Sequence, residues 1–131
     1  LFFFILVEGV MGSQVREMTD RLQKEFNMAP RSEWSEKLEM TWMYLVHRSF
    51  SWAIFAAAIW FYILSQKYRV GGVEWQEKVI MLMVVSQMVL GLILSNVGVL
   101  RTVQVLHIGL SSILICAIFS WSLAAFYKKH E

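Results

Sequence analysis

The sequence predicts an all-α integral membrane protein that folds as a four-helix, up-down-up-down bundle. Of its 131 residues 57% are hydrophobic, and the mean hydropathy is +0.52. That is more apolar surface than a soluble domain of this length can bury. The apolar residues fall into four stretches, each long enough or nearly so to cross a bilayer core, which takes about 20 helical residues.

We therefore predict one membrane domain over residues 1–131. In chain order its spans are residues 1–15 (span A), 41–64 (span B), 78–97 (span C) and 102–127 (span D). Span A opens inside an apolar run, with neither an initiator methionine nor a basic segment before it. We interpret the chain as beginning partway through a membrane helix and not with a signal peptide.

The connections between the spans differ in length and character. The A–B connection, about residues 17–40, is expected to be an extramembrane amphipathic segment with a short helix on the membrane surface. Met18, Leu22 and Phe26 recur at helical spacing with charges between them, and Pro30 interrupts the pattern. The B–C connection is expected to turn at residues 71–72. The C–D connection is so short that spans C and D must be antiparallel neighbours.

Charge, cysteine and aromatic content narrow the class of protein further. The net charge of +2 offers no basic face for nucleic acid, and membrane lipid is the expected surrounding. The single cysteine, Cys116, excludes an intrachain disulfide and is expected to be a small buried hydrophobe. Lys and Arg are nearly balanced between the two faces and do not set the orientation. The aromatic residues expected at the membrane surfaces are Trp34, Trp42 and Tyr44 on one side and Trp60, Tyr62, Trp75 and Tyr127 on the other.

Two histidines are the candidate metal ligands. His47 follows Thr41 by six residues and His107 follows Thr102 by five, so each lies about 8–9 Å into its span. Spans B and D run in the same direction, so both histidines lie at similar depth from the same surface. Two imidazoles placed in this way can clamp the iron of a haem from both sides. The alternative is that each histidine is a buried polar residue bonded to a neighbouring helix.

Small and cationic residues near the histidines suit a haem. The small residues, which leave room for a large ring or let helices pack closely without one, are Gly12, Ser51, Gly91 and Ser111. The cationic residues at the same face, candidates to pair with haem propionates, are Arg16, Arg48 and Arg101.

Further polar residues within the spans include Glu8, Gln87 and Gln104. Glu8 is either a proton-relay group or partner of a cation, or else a protonated or water-facing structural residue. Gln87 and Gln104 are expected to bond across helices.

Three motifs in this order and spacing resemble those of the haem A synthase family over nearly the whole chain: GVMGSQVRE, YLVHRSFSW and VLHIGLSS. The resemblance implies one half of a pseudo-twofold, eight-helix protein whose halves each carry a histidine pair. The family's N-terminal half has a glutamate three residues before its first histidine and often cysteines in its first long loop. Here Tyr44 occupies that position, and residues 12–38 contain no cysteine. Both departures identify the chain as the C-terminal half.

The resemblance also implies a function. His47 and His107 would be the axial ligands of a permanent haem b, an electron carrier, and the chain would hold no catalytic residue. The other half would bind haem O as substrate and oxidise its C8 methyl group to the formyl group of haem A. The chain alone would be inactive.

The implied location is the bacterial plasma membrane, with the haem site toward the outer side. Haem O synthase and further copies of the protein are the implied partners. Two alternatives stay open: a small bis-histidine b-type cytochrome subunit that transfers electrons between a quinone and a partner, and a haem-free structural or assembly subunit.

Overall fold

The computed structural model describes residues 1–68, 75–98 and 100–128, with side chains as far as residue 124. Within these ranges the chain is helical and contains no β-strand, which confirms the all-α prediction. The helices are α1 (Phe2–Glu25), α2 (Ser35–Glu39), α3 (Trp42–Tyr68), α4 (Trp75–Asn96) and α5 (Arg101–Lys128), with a 3₁₀ turn at Arg31–Glu33.

Three helices of the described ranges are long and apolar enough to cross a membrane. They are Trp42–Tyr68, Trp75–Asn96 and Arg101–Ala124, and they correspond to spans B, C and D. Helix α1 is not one of them, because the charged residues of its second half, among them Arg16 and Glu17, lower its hydropathy. The fourth span and the up-down-up-down order stay predictions.

Helix α1 is longer than span A because the sequence has no residue that ends it before Glu25. Between Gly12 and Glu25 there is neither proline nor glycine, so the ladder of backbone hydrogen bonds continues. The helix stops where Asn27 and Met28 adopt φ values of 50° and 61°, shortly before Pro30. The segment expected to form a separate surface helix is therefore the C-terminal part of α1.

The connection between α1 and α3 has a small core of its own. Trp34 and Leu38 are each only 1% exposed, and Nε1 of Trp34 donates to the carbonyl oxygen of Ala29 at 3.1 Å. Nζ of Lys37 lies 2.8 Å from Oε1 of Glu25 at the end of α1. Trp34 is thus a packed residue of this connection and not the interfacial anchor that the aromatic pattern indicated.

We expect Trp34→Ala to unfold this connection, since truncating a buried tryptophan costs about 3–5 kcal/mol. Limited proteolysis of the detergent-solubilised protein should then cut the variant between Glu25 and Trp42 much faster than the wild type. Trp42→Ala is the matched control, because Trp42 is 67% exposed. Equal protection of Trp34→Ala and wild type would show that another contact holds the connection.

Helices α4 and α5 pack against each other, as the short connection between them predicts. The turn passes through Gly98, whose φ of +138° is one that residues with a side chain rarely adopt. The turn expected at residues 71–72 lies outside the described residues. Cys116, which we expected to be buried, is exposed on α5.

The chain divides into two compact units. The first, residues 3–54, contains most of α1, the connection with α2, and the first half of α3; in it the rings of Phe4 and Phe50 are 5.8 Å apart. The second contains the first two residues and the described residues from Phe55 onward, and in it Phe61 packs edge-on against Trp121 at 5.4 Å. Each unit contains one of the two candidate ligands.

Candidate functional site

His47 lies in a pocket between α3 and α1 in the first unit. It is the sixth residue of α3, counted from Trp42, and its side chain is 20% exposed. A Cβ atom added at Gly12 would lie 3.3 Å from Cε1 and 3.8 Å from Nε2 of the imidazole. The backbone of α1 therefore approaches the ring so closely that only glycine fits without displacing it.

The carboxylate of Glu8, one turn before Gly12 on α1, faces the same imidazole. Its Oε1 lies 2.9 Å from Nδ1 of His47, an ion-pair distance, and the contact does not have the full geometry of a hydrogen bond. Oε1 also accepts a hydrogen bond from the hydroxyl of Ser51, which lies 2.9 Å from the carbonyl oxygen of His47 as well. Oε2 of Glu8 is buried and has no hydrogen-bond partner among the described residues.

His107 lies in a pocket between α5 and α4 in the second unit. It is the seventh residue of α5, counted from Arg101. A Cβ atom added at Gly91 would lie 3.6 Å from Cε1 of its ring, an ordinary van der Waals distance. One turn before Gly91, Nε2 of Gln87 donates to the carbonyl oxygen of His107 at 2.9 Å and bonds the hydroxyl of Ser111. This confirms that Gln87 bonds across helices.

The two pockets repeat one arrangement of four residues. One helix carries a carboxylate or amide followed four residues later by glycine, and the other helix carries histidine followed four residues later by serine. The two sets are Glu8, Gly12, His47 and Ser51 in the first unit, and Gln87, Gly91, His107 and Ser111 in the second. Residues four apart share a helix face, so each set meets across one pair of helices.

Sequence reasoning named these eight residues and placed each serine one turn after its histidine, but it missed the repeat of the whole set. The signal was present as E-x-x-x-G with H-x-x-x-S and Q-x-x-x-G with H-x-x-x-S. It also missed what the serines do. Oγ of Ser51 and Oγ of Ser111 each lie 2.9 Å from the carbonyl oxygen of the histidine one turn earlier, and each also contacts the side chain that faces it from the other helix.

The predicted cationic partners are exposed. Nε of Arg16 lies 3.8 Å from Oδ2 of Asp20, and both side chains are about half exposed. Arg48 and Arg101 are exposed, and neither forms an ion pair within the part of the chain that the structure describes. Their pairing with propionates stays a prediction. Tyr44, three residues before His47, is buried at 7% exposure.

Three apolar helices and a histidine pocket in each unit define a helical membrane protein with two candidate metal ligands. The family model described as cytochrome oxidase assembly protein matches residues 1–119. The chain therefore belongs to this family, which is that of the haem A synthases, and membership implies an oxidoreductase role for the full-length protein. Searches of curated proteins and of solved structures gave no significant match.

Proposed function

We propose that this chain is the haem b-binding, C-terminal half of a haem A synthase. In this role it supports oxidation of the C8 methyl group of haem O to the formyl group of haem A by electron transfer. The observation that carries the proposal is the repeated pocket, which holds one histidine in each unit by the same four residue positions. A single buried histidine has many structural uses, whereas a duplicated histidine pocket in this family favours two ligands.

The residues of both pockets fit a haem iron. A neutral imidazole nitrogen is a common axial ligand, and Glu8 at Nδ1 of His47 leaves Nε2 as the nitrogen for the metal. The hydroxyl groups of Ser51 and Ser111 lie 2.9 Å from the backbone carbonyl oxygens of the two histidines. When bound, the haem supplies reversible one-electron chemistry. His47 and His107 would ligate the iron, and the residues packed against them would orient the imidazole rings.

We assign no catalytic residue to this chain. The family's N-terminal half has a glutamate three residues before its first histidine, and this chain has the buried phenol of Tyr44 there. We therefore place the oxidation of haem O in the other half, with electrons passing to or from it through the haem held by His47 and His107.

The proposal extends to the surroundings of the protein. The three apolar helices lie in the bacterial plasma membrane, with the haem site toward its outer side and lipid around it. Arg16, Arg48 and Arg101 are exposed guanidinium groups on α1, α3 and α5 and are suited to carboxylates of the haem. Haem O arrives from its synthase, and the protein assembles with further copies of itself.

The test is to purify the chain in detergent after expression with haem b available, and to record reduced-minus-oxidised spectra. We expect sharp low-spin b-type bands at stoichiometric haem content, and no haem A after incubation with haem O and an electron acceptor. The full-length protein, treated identically, is the control and should produce haem A. Absence of the bands would favour the haem-free assembly subunit. Production of haem A by the chain alone would contradict the proposal that haem O is oxidised in the other half.

The gene sequence upstream of the codon for Leu1 distinguishes the small b-type cytochrome from the synthase. A second four-span half with Glu-x-x-His favours the synthase. Electron exchange with quinol at equal rates with and without the other half would favour the cytochrome.

A further inference from the structure

We propose that Glu8 is a positioning residue for His47: its carboxylate holds the imidazole at Nδ1, leaves Nε2 as the metal-binding nitrogen, and thereby lowers the midpoint potential of the bound haem. The inference rests on the proposed function for its haem. Its structural part, the orientation of His47 by Glu8, holds without any cofactor and can be tested separately.

The contacts of Glu8 converge on His47. Its side chain is 16% exposed, and Oε1 lies 2.9 Å from Nδ1 of the imidazole. The same oxygen accepts the hydroxyl of Ser51, which lies 2.9 Å from the carbonyl oxygen of His47. The carboxylate is therefore held beside the ring by the hydroxyl of the residue one turn after that histidine. A carboxylate at Nδ1 favours the tautomer with its proton there, which leaves the lone pair on Nε2.

The second pocket shows that helix packing alone does not require a carboxylate at this place. Gln87 occupies the equivalent position and bonds the equivalent serine, Ser111, together with the carbonyl oxygen of His107. Both residues come four before the glycine that faces the histidine. An amide therefore fits the same helix–helix geometry.

A carboxylate at this position also destabilises the fold more than a neutral amide would. A carboxylate among apolar helices is expensive, and Oε2 of Glu8 is buried with no hydrogen-bond partner in the described ranges. A buried polar oxygen without a partner destabilises the fold. A residue that costs stability where a neutral one fits is expected to serve function, and what lies beside it is the candidate ligand His47.

The effect on a bound haem follows from the chemistry of the ligand. A carboxylate at Nδ1 polarises the imidazole, so Nε2 donates more electron density to the iron. Greater donation stabilises the oxidised iron and lowers the midpoint potential. Replacing the carboxylate by an amide removes this effect while keeping size and hydrogen-bonding capacity.

The first measurement is the midpoint potential of the haem-loaded chain carrying Glu8→Gln. Because glutamine fits the equivalent pocket, we expect normal haem content and low-spin bands. We expect the equilibrium ratio of reduced to oxidised haem to increase on the order of tenfold. This corresponds to a rise of about 59 mV in the midpoint potential of a one-electron couple. Glu17→Gln is the matched control: it removes a carboxylate from the same helix at a position 64% exposed, paired with Arg21, and should leave the potential unchanged. A Glu8→Gln potential equal to that of Glu17→Gln would overturn the proposal.

The second measurement needs no haem. In the apoprotein labelled with ¹⁵N-histidine, the His47 signals, assigned by their loss in His47→Ala, should report the tautomer protonated at Nδ1 in the wild type. Glu8→Gln should shift this tautomer balance and Glu17→Gln should not. Glu8→Asp, which keeps the charge but draws it back by one methylene group, should shift the balance in the same direction. Wild-type signals in both Glu8 variants would refute the positioning role, whereas a chain that shows the shifts but binds no haem would refute only the proposed function.

Discussion

Replacing either His47 or His107 by alanine is expected to abolish the low-spin b-type spectrum of the haem-loaded protein. Two strong axial ligands hold the iron low-spin, and loss of one leaves a weak or open position. We expect haem content to fall several-fold in each single variant and to background in the double variant. The measurement is the reduced-minus-oxidised spectrum, with haem quantified against protein.

His130→Ala is the control for these variants, since His130 is the third histidine of the sequence and follows the last predicted span. Its spectrum should match the wild type. Unchanged bands in His47→Ala or in His107→Ala would show that the altered residue is not a ligand. The proposed pair of histidine ligands would then be lost.

Gly12→Leu is expected to have the second-largest effect, because it places a side chain where the His47 imidazole lies. Even a Cβ atom there would come within 3.3 Å of Cε1 of the ring. A leucine must displace the ring or separate α1 from α3, and overpacking of this kind costs about 1–3 kcal/mol. We expect haem content to drop nearly as far as in His47→Ala while the protein still folds into the membrane.

Two other glycines give a graded comparison for Gly12→Leu. Gly91→Ala should change haem binding little, since its Cβ would lie 3.6 Å from Cε1 of His107. Gly12→Ala should weaken binding measurably. At Gly109, which has nothing within 4 Å of an added Cβ, leucine should be neutral. Equal haem content in Gly12→Leu and Gly109→Leu would show that the His47 pocket is not where the haem binds.

The helical class and three of the spans were predictable because long apolar runs have one solution in a membrane, a helix that satisfies its own backbone. The C-terminal end of α1 was not predictable from the sequence. The charges of Arg16 and Glu17 indicate that the chain leaves the apolar region, but charged residues do not end a helix. The burial of Trp34 was not predictable either. From sequence alone, a tryptophan beside a span can be either an interfacial anchor or a buried residue. Only the fold shows that Trp34 is packed in the connection at 1% exposure.

For the candidate site, the sequence predicted the residue types but not their contacts. His47 and His107 were named from depth, and Gly12 and Gly91 from size, and the structure packs each glycine against its histidine. The role of Glu8 was left open, because the depth of a carboxylate in a helix does not say what faces it. Its contact with Nδ1 of His47 depends on how α1 is rotated against α3, which no local pattern specifies.

The core around Trp34 bears on how the protein reaches its folded state during synthesis. The two partners that close the second pocket, Gln87 and Ser111, are 24 residues apart, whereas Glu8 and Ser51 are 43 residues apart. The free-energy cost of closing a loop rises by only about 0.6 kcal/mol for each doubling of its length. The greater separation of Glu8 and Ser51 therefore disfavours their contact only slightly. Formation of the Trp34 and Leu38 core before α3 inserts would shorten the free chain between Glu8 and Ser51. The earlier helix is then already tethered near the place where α3 will insert, and the nascent polypeptide need not wait for its last two helices before His47 has its neighbours.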